Sequence, residues 1–130
     1  MKMSLALSTL LLASFWLTAG ATEAADKTVH VTGYLMDEMC AGSSTARSGG
    51  LAYAKEHTKE CSLAPSCNAQ GFEVFSNGRW YQLDKNGSAQ ALKLLKTSKV
   101  EKGNYVEVDG TMTNGKLVVS QIKEIPAPVK

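Results

Sequence analysis

The chain has 130 residues, 14 basic and 12 acidic side chains, a formal net charge of +2 and 44% hydrophobic residues. Near-balanced charge offers no strong pull on nucleic acid or anionic lipid. The length suffices for one domain with one modest core and excludes a multidomain architecture.

Residues Met1 to Ala25 carry one early cation, Lys2, an apolar run from Leu5 through Ala21, and a small-residue stretch from Gly20 to Ala25. This is the pattern of a secretory signal, and cleavage after Ala21, Ala24 or Ala25 is compatible with it. The run is short for a spanning helix and no basic flank follows, so a retained membrane anchor is not expected. A lipidated N-terminal cysteine is not expected either, because the first cysteine is Cys40. Removing Lys2 and Glu23 takes the charge counts from 14 and 12 to 13 and 11, which keeps +2 on residues 26–130. The expected location is periplasmic or secreted, where unprotected thiol pairs tend to oxidise.

Thr28 to Met36 alternates, with Val29, Val31 and Leu35 on one side and His30, Thr32 and Tyr34 on the other, as in a half-buried strand. Gly33 inside it marks a bulge or bend. Ala41 to Gly50 is rich in Gly, Ser, Thr and Ala and reads as a flexible loop. Leu51 to Glu60 reads as a short helix, ended before Pro65. Phe72 to Ser76 and Arg79 to Asp84 form a hairpin through Asn77-Gly78. Ser88 can cap a helix to about Thr97, with Ala91, Leu92, Leu94 and Leu95 as its buried stripe. Lys93, Lys96, Lys99 and Lys102 read as a solvated face and exit loop. Tyr105 to Met112 and Lys116 to Ile125 form a second hairpin through Asn114-Gly115, and Pro126 and Pro128 end the last strand. The expected fold is mainly β with one or two helices: a five-stranded OB-like barrel with a helix between strands 3 and 4. A five-stranded α+β sandwich is the competing architecture. Residues 26–130 form the single domain, with a Cys/His-containing loop at about 37–70.

Every cysteine of the chain falls in that loop. Cys40, His57, Cys61 and Cys67 supply the Cys3His set of a tetrahedral metal site, in which a helix would turn His57 and Cys61 to the same side. Zinc suits that set, and copper as Cu(I) suits the thiolates, with Met36 and Met39 flanking Cys40. The spacings are not the paired C-x2-C knuckles of the strongest zinc motifs. The alternative is a disulfide from Cys40 to Cys61 or Cys67, which would stabilise by roughly 3 to 4 kcal/mol on the loop-entropy model and leave one odd thiol. A redox or catalytic thiol has the least support, since there is no C-x-x-C and no second motif to orient His57 as a base. No enzyme is expected. His57 by itself also fits a surface helix position, and His30 a solvated one. Asp37 fits either a cap on its own turn or the support of a ligand.

Phe75, Trp80 and Tyr81 lie on the hairpin that forms the usual binding face of OB barrels. Core packing explains at least two of them equally well. A small molecule, an oligosaccharide or a protein is the partner class left open, while the charge balance argues against nucleic acid.

The pieces Gly33-Tyr34-Leu35-Met36-Asp37-Glu38-Met39-Cys40, His57-Thr58-Lys59-Glu60-Cys61 with Cys67 and Gly71-Phe72, Trp80-Tyr81, and Val108-Asp109-Gly110-Thr111 together resemble a family of small exported bacterial proteins with OB-like barrels. The shared motif is Asp-x-x-Cys, then His-x-x-x-Cys, then one more Cys. The resemblance implies a fold and a compartment rather than an activity. More distantly the chain resembles bacterial OB-fold proteins exported in stress responses, which lack the cysteine motif.

Overall fold

The computed structural model describes residues 26–129. The expected secretory signal, Met1 to Ala25, lies outside the described residues. In chain order the elements are β1 (Lys27–Asp37), α1 (Glu38–Ala41), α2 (Ser44–Glu56), α3 (Lys59–Leu63), α4 (Pro65–Asn68), β2 (Phe72–Ser76), β3 (Arg79–Gln82), α5 (Lys85–Thr97), β4 (Tyr105–Thr113) and β5 (Lys116–Glu124). Among the described residues no helix is long and apolar enough to cross a membrane.

The strands build one antiparallel sheet in the order β3-β2-β1-β4-β5. β1 is central and pairs twice: Lys27 to Tyr34 with β4, and Tyr34 to Asp37 with β2. Both hairpins turn where Asn-Gly predicts, with positive φ at Asn77, Gly78, Asn114 and Gly115, as a two-residue hairpin whose twist matches its strands requires. The helix between strands 3 and 4 is present as α5. The sheet is not closed into a barrel by strand pairing, so the expected five-stranded antiparallel sheet is present and the barrel itself is not shown. Its edges meet through one parallel bridge, Leu83 to Leu117, because β3 ends after four residues, before a ladder can form.

Among the described residues there are five helices where one or two are expected. The segment expected to be a flexible loop, Ala41 to Gly50, is largely helical: Ser43 caps α2 by accepting from the Ala46 amide, and Ala46 is buried. α5 starts at Asp84 rather than Ser88, since the Asp84 carboxylate accepts from the Gly87 amide. The Ser88 hydroxyl instead accepts from the Phe72 amide.

The two faces of the sheet bury different cores. One packs Val31, Leu35, Phe72, Val74, Val106, Val108, Leu117 and Val119 against Ala91 and Leu95 of α5. The other, expected to be the outer side of β1, buries Tyr34, Met36 and Phe75 beneath Ala41 of α1 and Ala54 of α2. Beyond Gly33, β1 is therefore covered on both sides. A Cβ at Gly33 would stand 2.2 Å from the Phe75 carbonyl oxygen.

Gly33→Ala is expected to destabilise by at least about 2 kcal/mol, because the β1–β2 pairing must part to admit a methyl group; urea midpoints of the two proteins check this. On the exposed part of β1, His30 Nδ1 lies 2.7 Å from Asp109 Oδ1. That hydrogen bond, helped by the charges of Asp109 and Glu107, raises the His30 pKa above 6.5 against the opposing effect of desolvation. A raised histidine pKa favours the folded state below the unfolded value and loses its effect as pH rises through the folded value. An NMR titration should place His30 above 6.5, and Asp109→Asn should return it towards that value.

Candidate metal centre

Two short capped helices carry the first two thiols. Asp37 caps α1 by accepting from the Cys40 amide at 2.8 Å, and Thr58 caps α3 by accepting from the Cys61 amide at 3.2 Å. Each cysteine thus sits three residues after its cap, in a first turn fixed by a side-chain hydrogen bond. The result brings Cys40 Sγ and Cys61 Sγ to 3.8 Å, although 21 residues separate them.

His57 reaches the same place by a route the sequence reading missed. It does not share a helix with Cys61: α2 ends at Glu56, and His57 and Thr58 are extended. The segment before β4 holds this break open. Gly103 donates its amide to the His57 carbonyl at 2.9 Å, and Lys59 donates to the Glu101 carbonyl at 2.8 Å. Gly103 has φ of 62°, and a Cβ there would stand 2.6 Å from the Lys55 carbonyl oxygen, so glycine is what lets the two segments meet. The His57 side chain is buried rather than on the surface, with the Tyr53 ring stacked 6.0 Å from it.

Asp37 joins these parts and is completely buried. Its Oδ2 takes the Cys40 amide, while Oδ1 lies 2.8 Å from His57 Nε2 and accepts from the Ser62 hydroxyl at 3.2 Å. Both uses weighed for Asp37, capping and support, are realised, one on each oxygen. Burial pushes its pKa up, but the hydrogen bonds from His57 and Cys40 and the imidazole charge outweigh it, and the carboxyl ends below its usual range. With Asp37 ionised, its Oδ1 can only accept, so His57 Nε2 carries the proton of this hydrogen bond. A carboxylate holding a histidine this way is the arrangement that orients metal-binding imidazoles.

Asp37, Cys40, His57 and Cys61 form one donor group, with one ligand atom from each within 4.8 Å of every other. Three of the four sequence-predicted ligands are in it, and Asp37 completes it. Cys67 stands outside the group, in α4 and close enough to Cys61 to raise its pKa. Ser62 was not foreseen, since a serine in a short helix carries no signal of its own. All three cysteines are free thiols, so the expected staple from Cys40 to Cys61 or Cys67 is not formed. Burial raises the Cys40 pKa strongly, reinforced by the Asp37 carboxylate and by Cys61. Burial also raises Cys61, with Cys67 and Asp37 adding to it against the contact from Cys40. Both thiols are thereby held towards the neutral form, the weaker nucleophile.

The aromatic side chains of the first hairpin divide between the two faces. Phe75 and Trp80 pack together, with centroids 4.9 Å apart, beside the α1–α2 layer, and the Arg47 guanidinium lies over Trp80. Tyr81 packs on the α5 core. No protein-family model, curated protein or solved structure matches the chain.

Asp37→Asn tests the hub without changing its size. It places an amide opposite a donor and is expected to cost roughly 2 to 4 kcal/mol in denaturant unfolding, against about 1 kcal/mol for Ser62→Ala.

Proposed function

We propose that the protein is a small exported binding domain, OB-like in its strand order, that holds a divalent transition-metal ion, zinc first, through Cys40, His57 and Cys61 with Asp37. The observation that carries this is the convergence of four donor atoms within 4.8 Å, with the two sulfurs 3.8 Å apart. Two thiolates about 2.3 Å from a tetrahedral ion are themselves about 3.8 Å apart, so the sulfurs already stand at the spacing a zinc ion needs. The mixed sulfur, nitrogen and oxygen set suits a borderline dication better than Cu(I), which favours soft donors alone. Export is supported by the Met1 to Ala25 pattern and by the family resemblance. The OB reading is supported by the strand order, by α5 between β3 and β4, and by the Leu83–Leu117 bridge that draws the edges together.

The competing reading is a domain in which two of the cysteines pair and only staple the loop. Native mass spectrometry with thiol counting separates the two. The metal site predicts one zinc ion per chain and three alkylatable thiols once zinc is removed. Cys40→Ser, Cys61→Ser or His57→Ala should each weaken zinc binding roughly 100-fold or more, and Cys67→Ser roughly tenfold or less. A chain isolated without metal, two hydrogens lighter and with one alkylatable thiol, would replace the metal site with the staple.

A further inference from the structure

A cavity of about 280 Å³ lies on the α1–α2 side of the sheet, apart from the Cys/His cluster. Tyr34, Phe75 and Tyr105 give it aromatic walls, Leu51 and Lys55 reach it from α2, and Pro128 reaches it from the segment after β5. Tyr34 and Tyr105 meet edge to face, with centroids 4.8 Å apart.

Two polar groups in this apolar surround lack partners. Tyr34 is only 5% exposed, and its hydroxyl makes no hydrogen bond among the described residues, whereas the Tyr105 hydroxyl turns to Thr32. Every fully buried side-chain nitrogen or oxygen among the described residues does have a partner. The Tyr34 hydroxyl therefore keeps some contact with solvent, and Tyr34 is one of the residues that line the cavity. Burial raises its pKa, so it stays a neutral donor. Lys55 forms no ion pair among the described residues, unlike Arg47, Lys59 and Lys102, and none of the lining residues is acidic. The residues lining the cavity thus include one lysine without an ion pair, one tyrosine hydroxyl without a hydrogen bond, and three aromatic rings.

We propose that this cavity binds a small aromatic carboxylate, its ring packed on Tyr34, Phe75 and Tyr105 and its carboxylate taken by the Lys55 ammonium and the Tyr34 hydroxyl. The volume lies just below the range of about 300 to 1,000 Å³ usual for drug-sized ligands, which limits the guest to one or two rings. Aromatic walls favour a flat π system over an aliphatic chain, because edge and face contacts add to simple burial. A lone cation beside a donor, with no carboxylate nearby, selects an anionic head group over a neutral or cationic one. This inference does not depend on the metal reading.

Backbone amide NMR titration of the protein with benzoate, phenylacetate and indole-3-acetate tests it, with benzyl alcohol and benzylamine as controls. At least one acid should produce saturable shifts at Lys55, Asn77 and Gly78, with half-saturation on the order of 1 mM for so small a ligand. The alcohol should bind several-fold more weakly, and the amine should leave those amides unmoved. Lys55→Gln should weaken the acid about tenfold or more, and Tyr34→Phe about threefold. Equal binding of acid, alcohol and amine overturns the proposal. So do shifts confined to other regions, indifference to Lys55→Gln, or no saturable shift with any of the three acids. If either substitution disturbs the fold, the comparison of acid with amine on the unaltered protein still decides.

Discussion

The buried carboxylate of Asp37 is the constraint on which the rest of the cluster depends. It ends β1, starts α1 through the Cys40 amide, receives His57 from the break after α2, and takes the Ser62 hydroxyl from α3. Four chain segments are thereby tied at one fully buried charge. Such a group is costly to bury unless its hydrogen-bonding capacity is met, and here both oxygens are occupied. The irregular region from Glu38 to Asn68 has little core of its own, so this hub and the two caps do for it what strand pairing does for the sheet.

The sheet in turn explains why the hub stands where it does. β1 carries two ladders and is covered on both faces past Gly33, so its last residue enters the interior instead of leaving into solvent. Met36 and Tyr34 anchor α1 and α2 on one face, while Leu35 anchors the opposite core. The cavity beside Tyr34 and the Cys/His cluster around Asp37 are therefore neighbours along one strand, held by the same helical layer.

How much of this was legible in the sequence depended on whether the signal was local. The Asn-Gly turns declared both hairpins because only a few residue types accept their backbone angles. The start of α5 was misplaced because Asn86-Gly87 looks like a breaker; Gly87 is there because a side chain would begin 2.4 Å from a Val119 methyl group. The helix from Ser44 was hidden by a composition that disfavours helix, and burial of Ala46 overrides it. His57 and Cys61 do converge, but through a break pinned by residues 101–103, a tertiary contact that spacing cannot reveal. Asp37 was visible only as one end of Asp-x-x-Cys. That the same pattern recurs as Thr58-x-x-Cys61, with both caps engaged, emerges only once the hydrogen bonds are seen.

The electrostatics of the cluster make sense as a site that exchanges protons for a cation. Asp37 is held ionised while the two thiols beside it are pushed towards their neutral forms by burial and by that negative charge. A nucleophilic cysteine would need the opposite arrangement, a cation or an imidazolium beside the sulfur. A disulfide would need no buried carboxylate at all, and no oriented histidine. A bound divalent ion would take the place of the two thiol protons, and the Asp37 carboxylate and the His57 imidazole would stand beside it to balance its charge and complete the donors. The placement of Asp37, already needed to tie the four segments together, is also compatible with coordination of a cation by the donors around it.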